Sequence, residues 1–311
     1  MSWAPSATVH IVFDLAEPVL TPRRWQARAD AYRLRLEALL DPLLQRIADG
    51  DPVPKFLFSY YSLRPGALGS WNPGFGVALA GATALHQFAG RRGYEAIDGR
   101  VRVAPAFLGE RRDTVSFVAG LLRGTAARSA ALNCFGLHEW AMLYRGDEVR
   151  HGHVPLRMPA AELDAVVEAT PLRCTHFDAF RFFTPAAAPR NAGTPSRATQ
   201  IAWEQPGCLH ANMDLYKWCY KLGPLIDSEL LLDCLELAAA AREVDMRASP
   251  YDLSGYGYSP ITVENATGRA EYVRCQTAIM GRAAPLRAAL LERCDLLLAF
   301  APNAGSAALG R

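Results

Sequence analysis

TPRRWQARADAYRLRLEALLDPLLQRIADG, residues 21 to 50, reads as one long amphipathic helix. Thr21 can cap it and Pro22 suits its first position. Trp25, Ala29, Tyr32, Leu36, Leu39, Leu43 and Ile47 then recur at three- and four-residue steps, so one stripe of the helix is apolar. Asp41-Pro42 falls inside the pattern and is either a kink or the cap of a second helix. Gly50 closes the segment.

Working outward, the same period dominates the rest of the chain. Residues 112 to 145 read as helical with a break near Ser129, and residues 161 to 169 as a short helix. Further helices are expected at 176–183, 209–222, 227–246, 269–279 and 284–299. Lys55 to Tyr61 (KFLFSYY) is short and apolar, and its periodicity fits a buried helix or a strand. Tyr94 to Val103 (YEAIDGRVRV) alternates around Asp98-Gly99, the signal of a hairpin. The expected fold is therefore mainly α: a multi-helix globular bundle with a minor β-hairpin. A single helical domain over 1–311 is expected, with a possible subdomain seam near 90–110. At roughly 150 residues per domain the length would also admit two closely packed units.

Composition narrows the class. Half of the 311 residues are hydrophobic, so a large core is available and no metal or disulfide is needed merely to hold the fold. The formal net charge of +2 gives no general basic surface for nucleic acid. Seven cysteines form no C-x-x-C pair, which points away from a disulfide framework or zinc ribbon and towards a reducing compartment. No apolar run reaches the ~18–20 residues of a membrane span, and the N-terminus lacks a signal-peptide pattern. The expectation is a cytoplasmic protein without membrane contact.

Chemistry concentrates between Cys134 and Asp252. In CLHANMD (208–214), His210 and Asp214 stand four apart on one helix face, with Lys217 and Lys221 continuing near it. Such a pair could bind one metal ion, or act as a base and its orienting carboxylate; it could also be a surface pair beside two solvated lysines. In CTHFDAFRFF (174–183), His176, Asp178 and Arg181 sit in an aromatic run that must be largely buried, and buried charge needs a partner or a function. Thr175 and Asp178 have capping-box spacing, so capping suffices for Asp178 but not for His176. In GLHEWAM (136–142), His138 and Glu139 point about 100° apart; His138 is the better candidate to reach a site, and Glu139 suits the surface. His151 and His153 fit a surface loop. In DMRASPYD (245–252), Asp245, Arg247 and Asp252 suit a structural salt-bridge knot or could equally line a polar pocket, with S-P-Y-D again a capping pattern, and the Gly-rich loop carrying Tyr256, Tyr258 and Glu264 would suit a lid. A nucleophilic cysteine is a weak option, since Cys174 and Cys208 each precede a histidine by two residues. There is no Walker A, no G-x-G-x-x-G after a strand and no G-x-S-x-G elbow.

The runs FGLHEWAM, RCTHFDAFRFF, EQPGCLHANMDLYKW and DMRASPYDL, with FLFSYYSLRPGAL near the start, resemble a bacterial family commonly labelled 3-methyladenine DNA glycosylase. The resemblance covers most of the chain. It implies hydrolysis of an N-glycosidic bond to a damaged base, without a metal, with a nucleobase, nucleoside or damaged DNA as partner. Asp214 would stabilise the developing cation or activate water, His210 and His176 would assist, and Arg181, Asn212, Lys217, Trp140 and Tyr251 would contact the substrate. Helix-hairpin-helix glycosylases grip phosphate with a hairpin such as L-P-G-[IV]-G; here Gln205-Pro206-Gly207-Cys208 has no second glycine at that spacing. Two other readings of the same residues stand beside this one. In one, His138, His176, His210 and Asp214 ligate iron, zinc or manganese in a metal-dependent hydrolase or oxygenase acting on a small molecule. In the other, the chain is a non-enzymatic small-molecule-binding protein.

Overall fold

The computed structural model describes residues 18–61, 63–146 and 154–300. It is mainly helical with a small four-stranded sheet. In chain order the elements are β1 (Val19–Leu20), α1 (Pro22–Ala48), α2 (Pro52–Ser59), α3 (Pro65–Leu68), β2 (Ala78–Ala80), α4 (Ala82–Phe88), β3 (Tyr94–Ile97), β4 (Arg100–Val103), α5 (Pro105–Ala126) and α6 (Leu137–Ala141). They continue with α7 (Ala160–Ala169), α8 (Phe177–Phe180), α9 (Gln200–Trp203), α10 (Leu209–Leu222), α11 (Ser228–Arg247) and α12 (Ala266–Ala299). No described helix is long and apolar enough to cross a membrane.

α1 runs unbroken through Pro42, burying Trp25, Tyr32, Leu36 and Leu40. The KFLFSYY segment lies largely in α2, whose start is capped by Asp51 accepting from the Val53 amide at 2.9 Å. The hairpin forms as the alternation suggests: Tyr94 faces Val103 and Ile97 faces Arg100. Asp98 and Gly99 both take positive φ (50° and 72°), the geometry of a type I′ turn. The hairpin is not alone. β4 also pairs antiparallel with β2, and β2 pairs parallel with β1, giving the order β1-β2-β4-β3. Val101 and Val103 project into the same apolar core as α1 and α5.

α10 is the central element. It packs against α11, α12 and α5, and every residue from Leu209 to Cys219 is buried. A helix buried on all faces is normally apolar all round. This one carries His210, Asn212, Asp214 and Lys217. Each of those groups must find a partner inside the protein or pay a desolvation cost of several kcal/mol for a charge. Where those partners come from defines the site.

Candidate metal centre

Two His–carboxylate groups meet on α10. In the first, His138 Nε2 of α6 lies 2.9 Å from Asp245 Oδ1 of α11, and the His210 ring stands edge-on to His138 with centroids 4.5 Å apart. The ligand atoms of His138, His210 and Asp245 all lie within 4.8 Å of one another. In the second, His176 Nε2, just before α8, lies 3.1 Å from Asp214 Oδ2 and 3.4 Å from Glu204 Oε1, which follows α9. His176, Glu204 and Asp214 form the same kind of three-ligand group. His210 joins the two, its ring 5.3 Å from that of His176. All six side chains are buried.

Cations brace both groups. Arg242, one turn before Asp245, donates from Nη1 to Asp245 Oδ2 at 2.6 Å and to Glu139 Oε1 at 2.9 Å. Lys217 donates to Asp214 Oδ2 and, at 3.2 Å, to Asp178 Oδ2. Tyr61 donates to the other oxygen of Asp214 at 3.0 Å. Burial opposes ionisation of Asp214, but Lys217 and His176 outweigh it and hold the carboxyl below the usual range. Against the same opposition, His138 and His210 hold Asp245 low, and Asp245 in turn raises His138. Glu204 behaves oppositely: burial raises it, with the Asp214 charge adding to the effect.

His210 differs from its neighbours. Burial, then the charges of His138, His176 and Arg242, push its pKa well below the ordinary value, although Asp245 pulls the other way. Its imidazole is therefore neutral, and among the described residues it forms no hydrogen bond. His138 Nε2 and Asp245 Oδ1 are close but do not meet hydrogen-bond geometry, and His176 Nδ1 also lacks a partner. Such atoms suit ligation. Donors bound to an ion at ~2.0–2.2 Å stand about 3.0 Å apart at right angles and about 3.4 Å apart at the tetrahedral angle. The spacings of 2.9, 3.1 and 3.4 Å fall in that range.

Two cavities flank His210. One, of about 20 Å³, is bordered by Cys134, Cys174, Cys208 and the three histidines. It has room for about one water or ion. Burial raises all three thiols, Cys174 to about 12, which is the reverse of the depression a reactive cysteine needs. The other cavity, of about 220 Å³, is bordered by Phe56, Tyr60, Met142 and Phe182, with His210, Glu139, Asp178 and Arg242 as its polar wall.

The structure revises several sequence expectations. His210 and Asp214 do share α10, but they serve different groups, and Asp214 pairs with His176. The lysines next to them are not both solvated: Lys217 is buried, and only Lys221 is exposed. Glu139 is buried against Arg242 rather than on the surface. Asp178 caps nothing; its carboxylate binds Lys217, Arg197 and Arg181. The supposed knot of Asp245, Arg247 and Asp252 does not form, because Asp245 belongs to the site while Arg247 binds Glu271 and the Ser259 carbonyl. No helix starts at Pro250, so the S-P-Y-D pattern caps nothing; Asp252 instead accepts from the Ser254 amide two residues on. The loop read as a lid is tied down by Tyr258 to Asp51 and by Glu264 to Arg157.

Among the residues expected to contact substrate, Lys217 lies in the site, and Arg181 is half exposed over the Phe182 ring. Asn212 is buried and uses both ends of its amide on Arg287 and the Pro206 carbonyl. Trp140 is buried and donates to the Ala248 carbonyl at 2.9 Å. Tyr251 is buried and pairs by its backbone with Leu156. None of these last three borders either cavity. His151 and His153 lie outside the described residues. Glu204 and Arg242 were not singled out from sequence, and Asp245 was read only with Arg247 and Asp252.

Comparisons with protein-family models, with curated proteins and with solved structures returned no match.

Proposed function

We propose that the chain is a metal-dependent enzyme that binds a divalent transition metal at His138, His210 and Asp245 and acts on a small molecule in the adjoining 220 Å³ cavity. One observation carries this reading. A neutral, hydrogen-bond-free His210 lies between two buried His–carboxylate groups and borders the cavity. Two histidines and one carboxylate suit iron(II), with manganese or zinc as further options, and three protein ligands leave positions for water and substrate. An ion there would polarise a substrate oxygen or acidify a bound water. His176, Glu204 and Asp214 would hold a second ion or orient the first group. Seven free cysteines suit the reducing interior of a cell, so a cytoplasmic setting is part of the proposal.

The N-glycosidic reading implied by the sequence resemblance finds less support. It needs Asp214 to face a reacting sugar, whereas Asp214 is fully buried, engaged by Tyr61, His176 and Lys217, and borders neither cavity. Elemental analysis of purified protein, after reconstitution with iron(II), manganese or zinc, separates the two. About one equivalent of metal, lost in His210→Ala while the melting temperature of the metal-free protein is kept, supports the metal reading. No metal in the wild type, together with salt-sensitive binding to abasic or alkylated DNA, would replace it with the glycosylase one.

A further inference from the structure

The two His–carboxylate groups are built alike but filled differently. Each central aspartate has a cation three residues away on its own helix, Arg242 before Asp245 and Lys217 after Asp214. In the first group Arg242 donates to Asp245 Oδ2. That leaves Oδ1, the oxygen 2.9 Å from His138 Nε2, without a hydrogen bond among the described residues. In the second group Lys217 sits on Asp214 Oδ2, the same oxygen that faces His176 Nε2 at 3.1 Å. Tyr61 takes Asp214 Oδ1, and Gln200 donates at 2.5 Å to Glu204 Oε1, the oxygen facing His176. One group thus presents an open ligand oxygen, and the other already holds a cation where an ion would bind. The side chains account for the difference. A guanidinium is a rigid fork that can hold the far oxygen, whereas an ammonium is a compact point charge that settles where negative charge is densest. Lys217 Nζ lies between Asp214 Oδ2 and, at 3.2 Å, Asp178 Oδ2. Asp178 does not depend on it, because Arg197 and Arg181 reach the other oxygen of that carboxylate at 3.0 and 3.4 Å. Asp214 has no other lysine or arginine partner among the described residues.

We infer that Lys217 sets the number of ions in this centre: its ammonium stands in for a second ion at His176, Glu204 and Asp214, and removing it opens a second metal site. The count of one ion in the wild type rests on the function proposed above, whereas the exchange of ammonium for ion at the second group stands on its own contacts. An ion ligated by Asp214 Oδ2 would share that oxygen with the ammonium, and two cations so close repel each other. Without the ammonium, Asp214 keeps its negative charge with only His176 and Tyr61 in contact. His176, Glu204 and Asp214 then offer one imidazole nitrogen and two carboxylate oxygens, all within 4.8 Å of one another. That donor set suits a divalent manganese, iron or zinc ion. Gln200 need not leave, because a ligating carboxylate is itself commonly held by an outer hydrogen bond.

Manganese(II) is the probe, because it favours oxygen and nitrogen donors over the neighbouring thiols of Cys174 and Cys208. Bound ions are counted from the loss of the free-ion electron paramagnetic resonance signal and by elemental analysis after desalting. The expected count is one per chain in the wild type and two in Lys217→Met. Adding His176→Ala to Lys217→Met returns the count to one, and adding His210→Ala instead removes the other ion. Should Lys217→Met fail to fold, Lys217→Gln, also neutral, takes its place with the same expected count. Two ions in the wild type, one of them lost in His176→Ala, overturn the role of Lys217 and leave the metal reading standing. A single ion in the neutral Lys217 variant, lost in His210→Ala, does the same. No ion in the wild type overturns the metal reading, and the role of Lys217 then survives only if the neutral variant gains an ion that His176→Ala removes.

Discussion

Lys217→Met tests whether the buried charge on Asp214 is held by Lys217, as the ion pair implies. Methionine keeps most of the length of the side chain and removes the ammonium. Asp214 would retain Tyr61 and His176 as partners but lose its only lysine. Breaking a buried ion pair from one side costs about 3–5 kcal/mol, because the remaining charge is left in a poor solvent. At about 2.1 cal/mol/K of unfolding entropy per residue, the 311-residue chain shifts by about 1.5 °C per kcal/mol. The expected fall in melting temperature at pH 7, measured on metal-free protein by calorimetry, is about 5–8 °C.

The pH dependence supplies an independent check. In the wild type Asp214 is held below the usual carboxylate range, burial opposing and Lys217 and His176 prevailing. A depressed carboxylate contributes stability that is present above its unfolded pKa of about 3.9 and is lost as pH falls through the folded value. In Lys217→Met burial has less to oppose it, so Asp214 rises and its protonation relieves the variant as pH drops. The gap between wild type and variant therefore narrows from pH 7 to pH 4. Added divalent metal gives a third arm. A ligand at a hundred times its Kd stabilises by about 2.7 kcal/mol. An ion on His176, Glu204 and Asp214 replaces the missing positive charge, so metal raises the melting temperature of the variant more than that of the wild type. A gap under about 2 °C at pH 7, or one of equal size at pH 4 and pH 7, refutes the view that Lys217 holds this charge.

Two further substitutions test the frame around the site. Gly268→Ala would put a Cβ 2.0 Å from the Thr262 carbonyl oxygen, which backbone cannot yield, so a loss of about 3 kcal/mol or more is expected in the urea midpoint. Trp140→Phe removes the donor to the buried Ala248 carbonyl and should cost about 1–3 kcal/mol while leaving metal content unchanged. A Trp140→Phe variant of unaltered stability but reduced metal content would instead place Trp140 in the site itself.

Much of the frame was legible because it follows from period alone. α1 reads from its apolar stripe, and the β3–β4 hairpin from Asp98-Gly99. α12 did not: Pro285 suggests two helices, yet the helix runs from Ala266 to Ala299 because packing on α5 and α11 outweighs one lost hydrogen bond. α5 begins at Pro105, seven residues before the expected start, and proline at the first helical position was the unread signal. The histidines of the site and Asp214 stood out by residue type, but Glu204 and Arg242 did not, and Asp245 was read only with Arg247 and Asp252. Yet α11 held a readable clue. Leu235, Ala238, Arg242 and Asp245 follow one another at three- and four-residue steps and are all fully buried. Two charges on an apolar stripe mark a polar core as clearly as a histidine does. Glu204 carries no such pattern. It lies beyond the end of a four-residue helix, and only the return of the chain through Gln205-Pro206-Gly207 brings it beside His176.

Stability does not explain why a helical bundle of this size keeps so many charges at its centre. Apolar residues of similar volume in place of a buried ion pair are often neutral or stabilising, and the apolar core here is extensive without them. The charges are also unequal. Glu139, Asp178, Glu204, Asp214 and Asp245 are buried, whereas the buried arginines and lysines near them among the described residues are three: Lys217 and Arg242, which pair with them, and Arg287, which feels the Glu204 charge. Arg197 and Arg181 reach in only as far as Asp178. The shortfall of positive charge is concentrated at His138–Asp245 and at His176–Glu204, on either side of the neutral His210. A polar core built only to hold helices together would pair its acids with arginines and lysines. One that sets them among three histidines, each with a ring nitrogen lacking a hydrogen bond among the described residues, could hold a cation.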